Sequence, residues 1–263
     1  MKRYFIWIRY LGTNYSGWQI QPNAPTVQEA VEQALNWALQ KNDIRVVGCG
    51  RTDAGVHASC YALHLDLDQT IEQGVLRRLN RILFPDIEVL SVQAVDDSLH
   101  ARFSATKRTY KYLIDLEHPL FSQACVYSYP YPTKDLNVDL LHEAAALIME
   151  YETFFPFCKS KSDASHYKCL IYKSKWELLH DRFLIYTVEA NRFLRGMVRL
   201  IVGMCLQVGE GKISIEQLRT ALNSQKRLSK PYSVPPTGLF LYDVKYGAHN
   251  IKYPASDVLF FPI

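Results

Sequence analysis

The sequence predicts an α+β protein of two lobes with mainly antiparallel sheets, meeting near residue 105. Three observations carry this. Apolar residues alternate with period two in several stretches and recur at helical spacing in others. The order of strands and helices in the first half is echoed in the second. The echo is one of element order, with no convincing sequence repeat beneath it.

The elements follow in chain order. Residues 4–11 alternate as a strand, with Tyr4, Ile6, Ile8 and Tyr10 on one face. A polar loop, GTNYSGWQIQPNAP, leads to a helix opened by Thr26 and Glu29 as a capping box. Val27, Ala30, Val31, Ala34, Leu35, Ala38 and Leu39 keep its helical period. Strands are expected near 44–48 and 60–67, a basic helix near 74–83 stopping at Pro85, and a strand near 87–95. In the second half, 107–116 reads as a strand and Asp139 as the cap of LLHEAAALIM. Two strands fill 171–190, and a helix covers about 191–208. Ser214 and Gln217 form a second capping box before EQLRTALN, and GLFLYDVKY alternates as a last strand. The expected division is 1–105, 106–248 and a tail, 249–263, whose end VLFFPI has no assigned place.

The 263 residues suffice for one large domain or two ordinary ones. With 48% hydrophobic and 21% charged residues, a globular chain with a sizeable core is expected. The net charge of +4 permits a polyanionic partner without demanding one. Six cysteines, none in a Cys-x-x-Cys pair, are too sparse for a disulfide scaffold and suggest reduced thiols in a cytoplasmic protein. The first residues have only a short apolar run, broken by Arg9, which excludes a signal peptide. No stretch reaches the roughly 20 apolar residues of a membrane span.

The most unusual stretch is GCGRTDAGVHAS, Gly48–Ser59. A glycine-flanked Arg-Thr-Asp at a strand end can set a carboxylate, Asp53, on a cleft floor, and it lacks the Gly-Lys-Ser/Thr ending of a phosphate-binding loop. Spacing alone favours an ordinary turn, because Asp and Gly are the commonest turn residues. FSATKRTYKY interleaves cations with aromatics. In a strand, Arg108, Tyr110 and Tyr112 share one face, and Lys107, Thr109 and Lys111 the other. That mixture suits RNA, whose phosphates take cations and whose bases stack on rings, although an ordinary sheet surface looks similar. Arg192, Arg195 and Arg199 are spaced to form one stripe on the expected 191–208 helix, fit for an anionic partner or for a solvated basic face. His57, Cys60 and His64 lack the second ligand cluster that zinc requires, so no metal site is expected.

With these stretches in hand, the chain closely resembles the tRNA pseudouridine synthases that modify uridines 38–40 of the anticodon arm. The resemblance runs from about residue 4 to 247. It is carried by YLGTNYSGWQIQPNAPTVQEAVEQAL, GCGRTDAGVHAS, LHARFSATKRTYKYLI, ANRFLRGMVRLIVG and PPTGLFLYDVKY. It implies two ferredoxin-like lobes around a central antiparallel sheet, and a homodimer that binds tRNA across both subunits. By the same resemblance Asp53 is the essential aspartate and Arg51 the adjacent RNA-contacting arginine. Tyr110 matches the tyrosine that stacks on the target base, Arg199 the basic partner of the aspartate, and Leu239 a leucine lining the base pocket. The chain departs from the family at MEYETFFPFCKSK, where members usually show Gly-x-His-Asp-Phe.

The implied reaction is an isomerisation, so no cofactor is expected. The target base must be flipped out at a cost of a few kcal/mol. Stacking on Tyr110 offsets about 1–3 kcal/mol of this. Burial would raise the Asp53 pKa and a nearby Arg199 would lower it, and the pair is expected to keep the carboxylate charged. Attack on C1′, attack on C6 and removal of the C2′ proton all remain open as its role. Lys107, Arg108, Arg192, Arg195, Arg77, Arg78 and Arg81 are the candidate phosphate contacts. Rival readings are a non-catalytic RNA-binding module, a synthase for another uridine, and a small-molecule hydrolase using Asp53 with His57.

Overall fold

The structure, a computed structural model, describes residues 1–117, 125–159, 166–228, 230–247, 249 and 251–254. It is α+β, as expected, and divides into two compact units. One comprises residues 1–106 and the chain from Phe240 onward; the other is Lys107–Leu239.

The first unit begins with β1 (Lys2–Tyr10), α1 (Val27–Leu39), the two-residue β2 (Val47–Gly48) and β3 (His57–Leu67). It continues with α2 (Gln73–Leu83) and β4 (Ile87–Val95), and takes in most of β9 (Leu239–Lys245). The strand order is β4-β1-β3-β9, with β2 paired on β3. All pairings are antiparallel except β3 with β9, where His57 lies opposite Phe240 and Ala58 opposite Leu241.

Flanked by β3 and β4, β1 is buried on both faces, so its pattern is not half-polar: Phe5 and Trp7 are as buried as Ile6 and Ile8. Phe5 and Trp7 meet the edge of Tyr246 at 5.2 and 5.9 Å, and Trp7 meets Tyr253 at 5.5 Å. Part of the 249–263 tail thus covers this sheet. The Tyr253 hydroxyl accepts the Tyr246 N–H, and Gln93 accepts the Lys252 N–H. VLFFPI lies outside the described residues. Thr26 caps α1 by accepting the Glu29 N–H at 3.3 Å, and α1 buries Val27, Val31, Ala34, Leu35, Ala38 and Leu39. On the same helix Glu32 is almost fully buried. Its carboxylate accepts from the Val46 N–H and from Arg45, fixing the approach to β2.

The second unit holds β5 (Lys107–Asp115), β6 (Tyr127–Ser128), α3 (Val138–Ile148), β7 (Ile171–Leu179), β8 (Phe183–Ala190), α4 (Met197–Gly209) and α5 (Ile215–Ser224). Its strand order is β5-β8-β7, with β6 beside β5. β7 and β8 form a hairpin whose His180 and Asp181 both have positive φ, the geometry of a type I′ turn. Arg182 then grips the fully buried Asp115 through two bonds, at 3.1 and 2.9 Å.

Two sequence expectations change here. Asn137, not Asp139, caps α3: its side chain accepts the Leu140 N–H at 3.1 Å, and Asp139 sits in the first turn. The 191–208 helix is shorter, since α4 starts only at Met197 and its N-cap Gly196 has φ +70, outside the right-handed helical region. The Ser214–Gln217 capping box of α5 forms as expected.

His64 on β3 gives the first unit a pH dependence. It is 4% exposed, and its Nδ1 accepts the Ala101 N–H at 3.1 Å. Burial, and secondarily the nearby Arg3 and His100, push its pKa down to about 4. The unfolded chain takes up this proton near pH 6.5, the folded one only near 4, so its stabilising contribution is full above about 6.5 and is lost as pH falls toward 4. The Tm of the protein is expected to drop in that window relative to His64→Asn, which keeps an acceptor but does not titrate. Parallel Tm curves for the two would overturn this assignment.

Candidate active site

Gly48–Ser59 leaves β2 and enters β3, and the loop between them is locked against residues 10–18. The Trp18 N–H donates to the Thr52 carbonyl at 3.3 Å, and the Gly55 N–H to the Tyr15 carbonyl at 3.2 Å. Tyr10 and Thr52 share a hydroxyl hydrogen bond at 3.0 Å, and the Tyr61 hydroxyl donates to the Gly50 carbonyl. The Gly12 N–H donates to His57 Nδ1 at 3.1 Å. The two loops approach so closely that side chains are excluded. A Cβ on Gly12 would stand 2.0 Å from the Val56 oxygen, and one on Gly17, whose φ is +93, only 2.4 Å from the Thr52 oxygen. Trp18, 3% exposed and stacked on Tyr61 at 4.2 Å, closes the contact from within.

Asp53 opens a turn in which its backbone carbonyl accepts the Val56 N–H at 3.2 Å, with Gly55 at φ +76 as a type II turn requires. The aspartate is therefore a turn residue and the turn is also held, from its backbone outward, by a second loop. Its side chain is half-buried, and Arg51 is exposed on the same loop. His57 and His64 spend their Nδ1 atoms as acceptors of backbone N–H groups.

In the second unit, Tyr110 lies on β5 opposite Val188, half-buried, with its ring edge-on to Phe193 at 5.0 Å. Its neighbours are already engaged: Lys107 pairs with Glu189 at 3.1 Å, and Arg108 donates to the Asn191 carbonyl at 3.0 Å. Tyr112 is fully buried, and its hydroxyl donates to the Pro235 carbonyl at 2.9 Å. Arg199, in the first turn of α4, donates through Nε to the Val234 carbonyl at 2.7 Å, and the Val234 N–H returns a bond to the Arg199 carbonyl. Gly238 fits against Tyr112 and the Leu113 oxygen, where a Cβ would stand at 2.5 Å. The segment leading into β9 is thus clamped, and it delivers Leu239, 5% exposed.

The structure links Arg199 and Leu239 through Val234–Gly238, but it does not make Arg192, Arg195 and Arg199 one stripe. Only Arg199 is helical. Arg192 contacts His166 at 2.7 Å, and Arg195 is exposed in the turn before Gly196. Arg77, Arg78 and Arg81 lie exposed on α2, with Arg78 donating to the Ala38 carbonyl at 2.9 Å. The divergent stretch 149–161 buries Phe154 and Phe157 and donates from the Phe155 N–H to Gln225. Its last two residues lie outside the described ones.

A sequence model described as tRNA pseudouridine synthase matches residues 6–104 and 150–247. The chain belongs to the tRNA pseudouridine synthase family. Similar curated proteins, each called tRNA pseudouridine synthase A, bear this out across the chain. That of Bacteroides thetaiotaomicron is 42% identical over 250 residues, covering 94% of this chain and 91% of the relative. That of Parabacteroides distasonis is 40% identical over 259 residues, covering 98% and 100%. That of Geobacillus sp. is 38% identical over 248 residues, covering 93% and 98%. The synthase is an isomerase acting on tRNA. Among its described residues no helix is long and apolar enough to cross a membrane.

Reading residues one stretch at a time misses the supports of the Asp53 loop in this synthase. Tyr10, Gly12, Gly17 and Tyr61 read as strand or polar loop, and their purpose emerges only when 10–18 meets 50–56. The one local signal is the pair Gly12 and Gly17 set among aromatics in LGTNYSGW.

Proposed function

We propose that this synthase converts uridine to pseudouridine at positions 38–40 of the tRNA anticodon arm, with Asp53 as the catalytic carboxylate. The observation that carries the reading is the interlocked loop pair. It fixes the backbone on both sides of the half-buried Asp53, the support that a catalytic carboxylate needs to hold one geometry. In the reaction the N1–C1′ bond breaks and a C5–C1′ bond forms. C5 loses its proton and N1 gains one, so atoms and electrons balance without an external oxidant or reductant. Asp53 acts directly, by attack on C1′, by attack on C6, or by taking the C2′ proton.

The other roles follow the same reading. Tyr110 stacks on the flipped base, Arg51 contacts RNA beside it, Leu239 lines the base pocket, and Arg199 is the basic partner of the aspartate. The enzyme works in the cytoplasm as a homodimer that binds tRNA across both subunits. Lys107, Arg108, Arg192, Arg195, Arg77, Arg78 and Arg81 are its candidate phosphate contacts.

The deciding experiment is pseudouridine mapping. In tRNA treated with carbodiimide, primer-extension stops at 38–40 are expected from cells that contain this chain and not from cells that lack it. Unchanged stops at these positions would overturn the reading. Among the phosphate candidates, Arg195 is exposed, so Arg195→Ala is expected to lower the slope of log affinity against log salt by about one unit. A slope equal to that of the unmodified protein would remove Arg195 from the interface.

A further inference from the structure

In the first unit, side chains brace the turn at residues 99–104 at six of its backbone groups. His64 Nδ1 accepts the Ala101 N–H, and the Tyr246 hydroxyl donates to the Ala101 carbonyl at 2.7 Å. Arg3 donates to the Leu99 carbonyl at 3.1 Å while gripping Asp66 with its other nitrogens. His100 Nδ1 accepts from both the Arg102 and Phe103 N–H groups, at 3.0 and 3.2 Å, and the Ser104 hydroxyl accepts the His100 N–H at 3.0 Å. Partial burial, with Arg3 and Arg102 beside it, holds the His100 pKa below its ordinary value, so Nδ1 keeps the lone pair these bonds need.

What this bracing presents is a phenyl ring in water. Phe103 is 77% exposed. The His100 ring supports it at 4.4 Å, tilted by 33°, and the Arg102 guanidinium carbon stands 5.7 Å from its centroid. An exposed phenyl forgoes the stabilisation of burial, and a rigid turn leaves it no way to fold back. A ring held from beneath, with a guanidinium beside it, has the chemistry of a stacking platform for a nucleotide: the ring takes a base and the cation its phosphate. The substrate class of the family is tRNA, which carries both.

We propose that Phe103, with Arg102 and on the His100 support, is a docking site for an unpaired base of the tRNA substrate, separate from the site of the target uridine. The rigidity fits this role. Because the turn is already ordered, docking pays no ordering cost, and the stacking is fully expressed as affinity. The proposal requires only that tRNA binds the chain and does not depend on the roles given to Asp53 or Leu239.

The test is tRNA binding to Phe103→Ala, Phe103→Trp and Arg102→Ala at several salt concentrations. Loss of one stacked base corresponds to roughly a five- to 150-fold weaker affinity. Phe103→Ala is expected to show that loss with an unchanged salt slope and an unchanged Tm, since the ring is exposed. Phe103→Trp is expected to restore affinity and to add fluorescence that tRNA quenches. Arg102→Ala is expected to lower the salt slope by about one unit. Affinity of Phe103→Ala equal to that of the unmodified protein would overturn the proposal. So would a change in its self-association by sedimentation without tRNA, because the ring would then face a second copy of the chain.

Discussion

Asp53→Asn is expected to form no detectable pseudouridine while binding tRNA nearly as tightly as the unmodified protein. Asparagine has almost the same shape, and the turn is made by the backbone carbonyl of residue 53, accepting the Val56 N–H at 3.2 Å. The loop therefore survives the change. What disappears is the anionic oxygen, which in each of the three mechanisms bonds to the substrate or takes its proton. Removing such a group costs on the order of 1,000-fold in rate or more. Affinity comes instead from phosphate and stacking contacts elsewhere, which the substitution does not touch. Single-turnover assays with excess enzyme, beside filter binding, separate the two quantities. A variant that turned over at a tenth of the original rate would remove Asp53 from the chemistry.

Gly17→Ala is expected to be nearly as damaging to turnover, although Gly17 has no side chain with which to act on a substrate. Its φ of +93 disfavours any L side chain, and its new Cβ would stand 2.4 Å from the Thr52 oxygen. That oxygen cannot simply retreat, because it accepts the Trp18 N–H and Thr52 is also tied to Tyr10. Strain and overpacking together cost about 2–4 kcal/mol. The easiest relief is displacement of the Asp53 loop, and a shift of about 1 Å at a reacting group costs roughly 100-fold in kcat. Gly211→Ala is the control. Gly211 also has positive φ, +67, but a Cβ there would meet nothing within 4 Å. It is expected to lose only about 1–2 kcal/mol and to keep its turnover. Equal kcat losses for the two variants would show that the loop contact is irrelevant to catalysis.

These two cases also show what the sequence discloses and what it withholds. Local rules are readable because their partners lie within one turn of chain. Ser214 finds Gln217, Thr26 finds the Glu29 amide, and the period of α1 names its buried face. The start of α4 fails for a local reason: Arg192, Arg195 and Arg199 keep helical spacing, but Gly196 takes a conformation no right-handed helix includes. The cap of α3 fails by two residues, since Asp139 and Asn137 are chemically near-equivalent acceptors. For the site, the stretch carrying Asp53 stands out by its glycines, whereas its supports do not. The bonds from Tyr10 to Thr52 and from Gly12 to His57 span some forty residues, and no periodicity reports a contact of that range. Likewise, Lys107 and Arg108 look like bare cations in sequence, yet in the fold they pair with Glu189 and the Asn191 carbonyl.

The parallel pairing of β3 with β9 bears on how the protein is made. His57 and Ala58, which end the Asp53 loop, are flanked on one side by Phe240 and Leu241. Ser59 donates to carbonyl groups at Leu241 and Tyr242. When the first hundred residues have left the ribosome, β2 already pairs with the far end of β3, but the first residues of β3, His57 and Ala58, still lack their β9 partner. That pairing is completed only once Leu241 has been made, so a chain stopped short of Phe240 would be truncated far from residue 53 and still lack the strand beside the end of its loop.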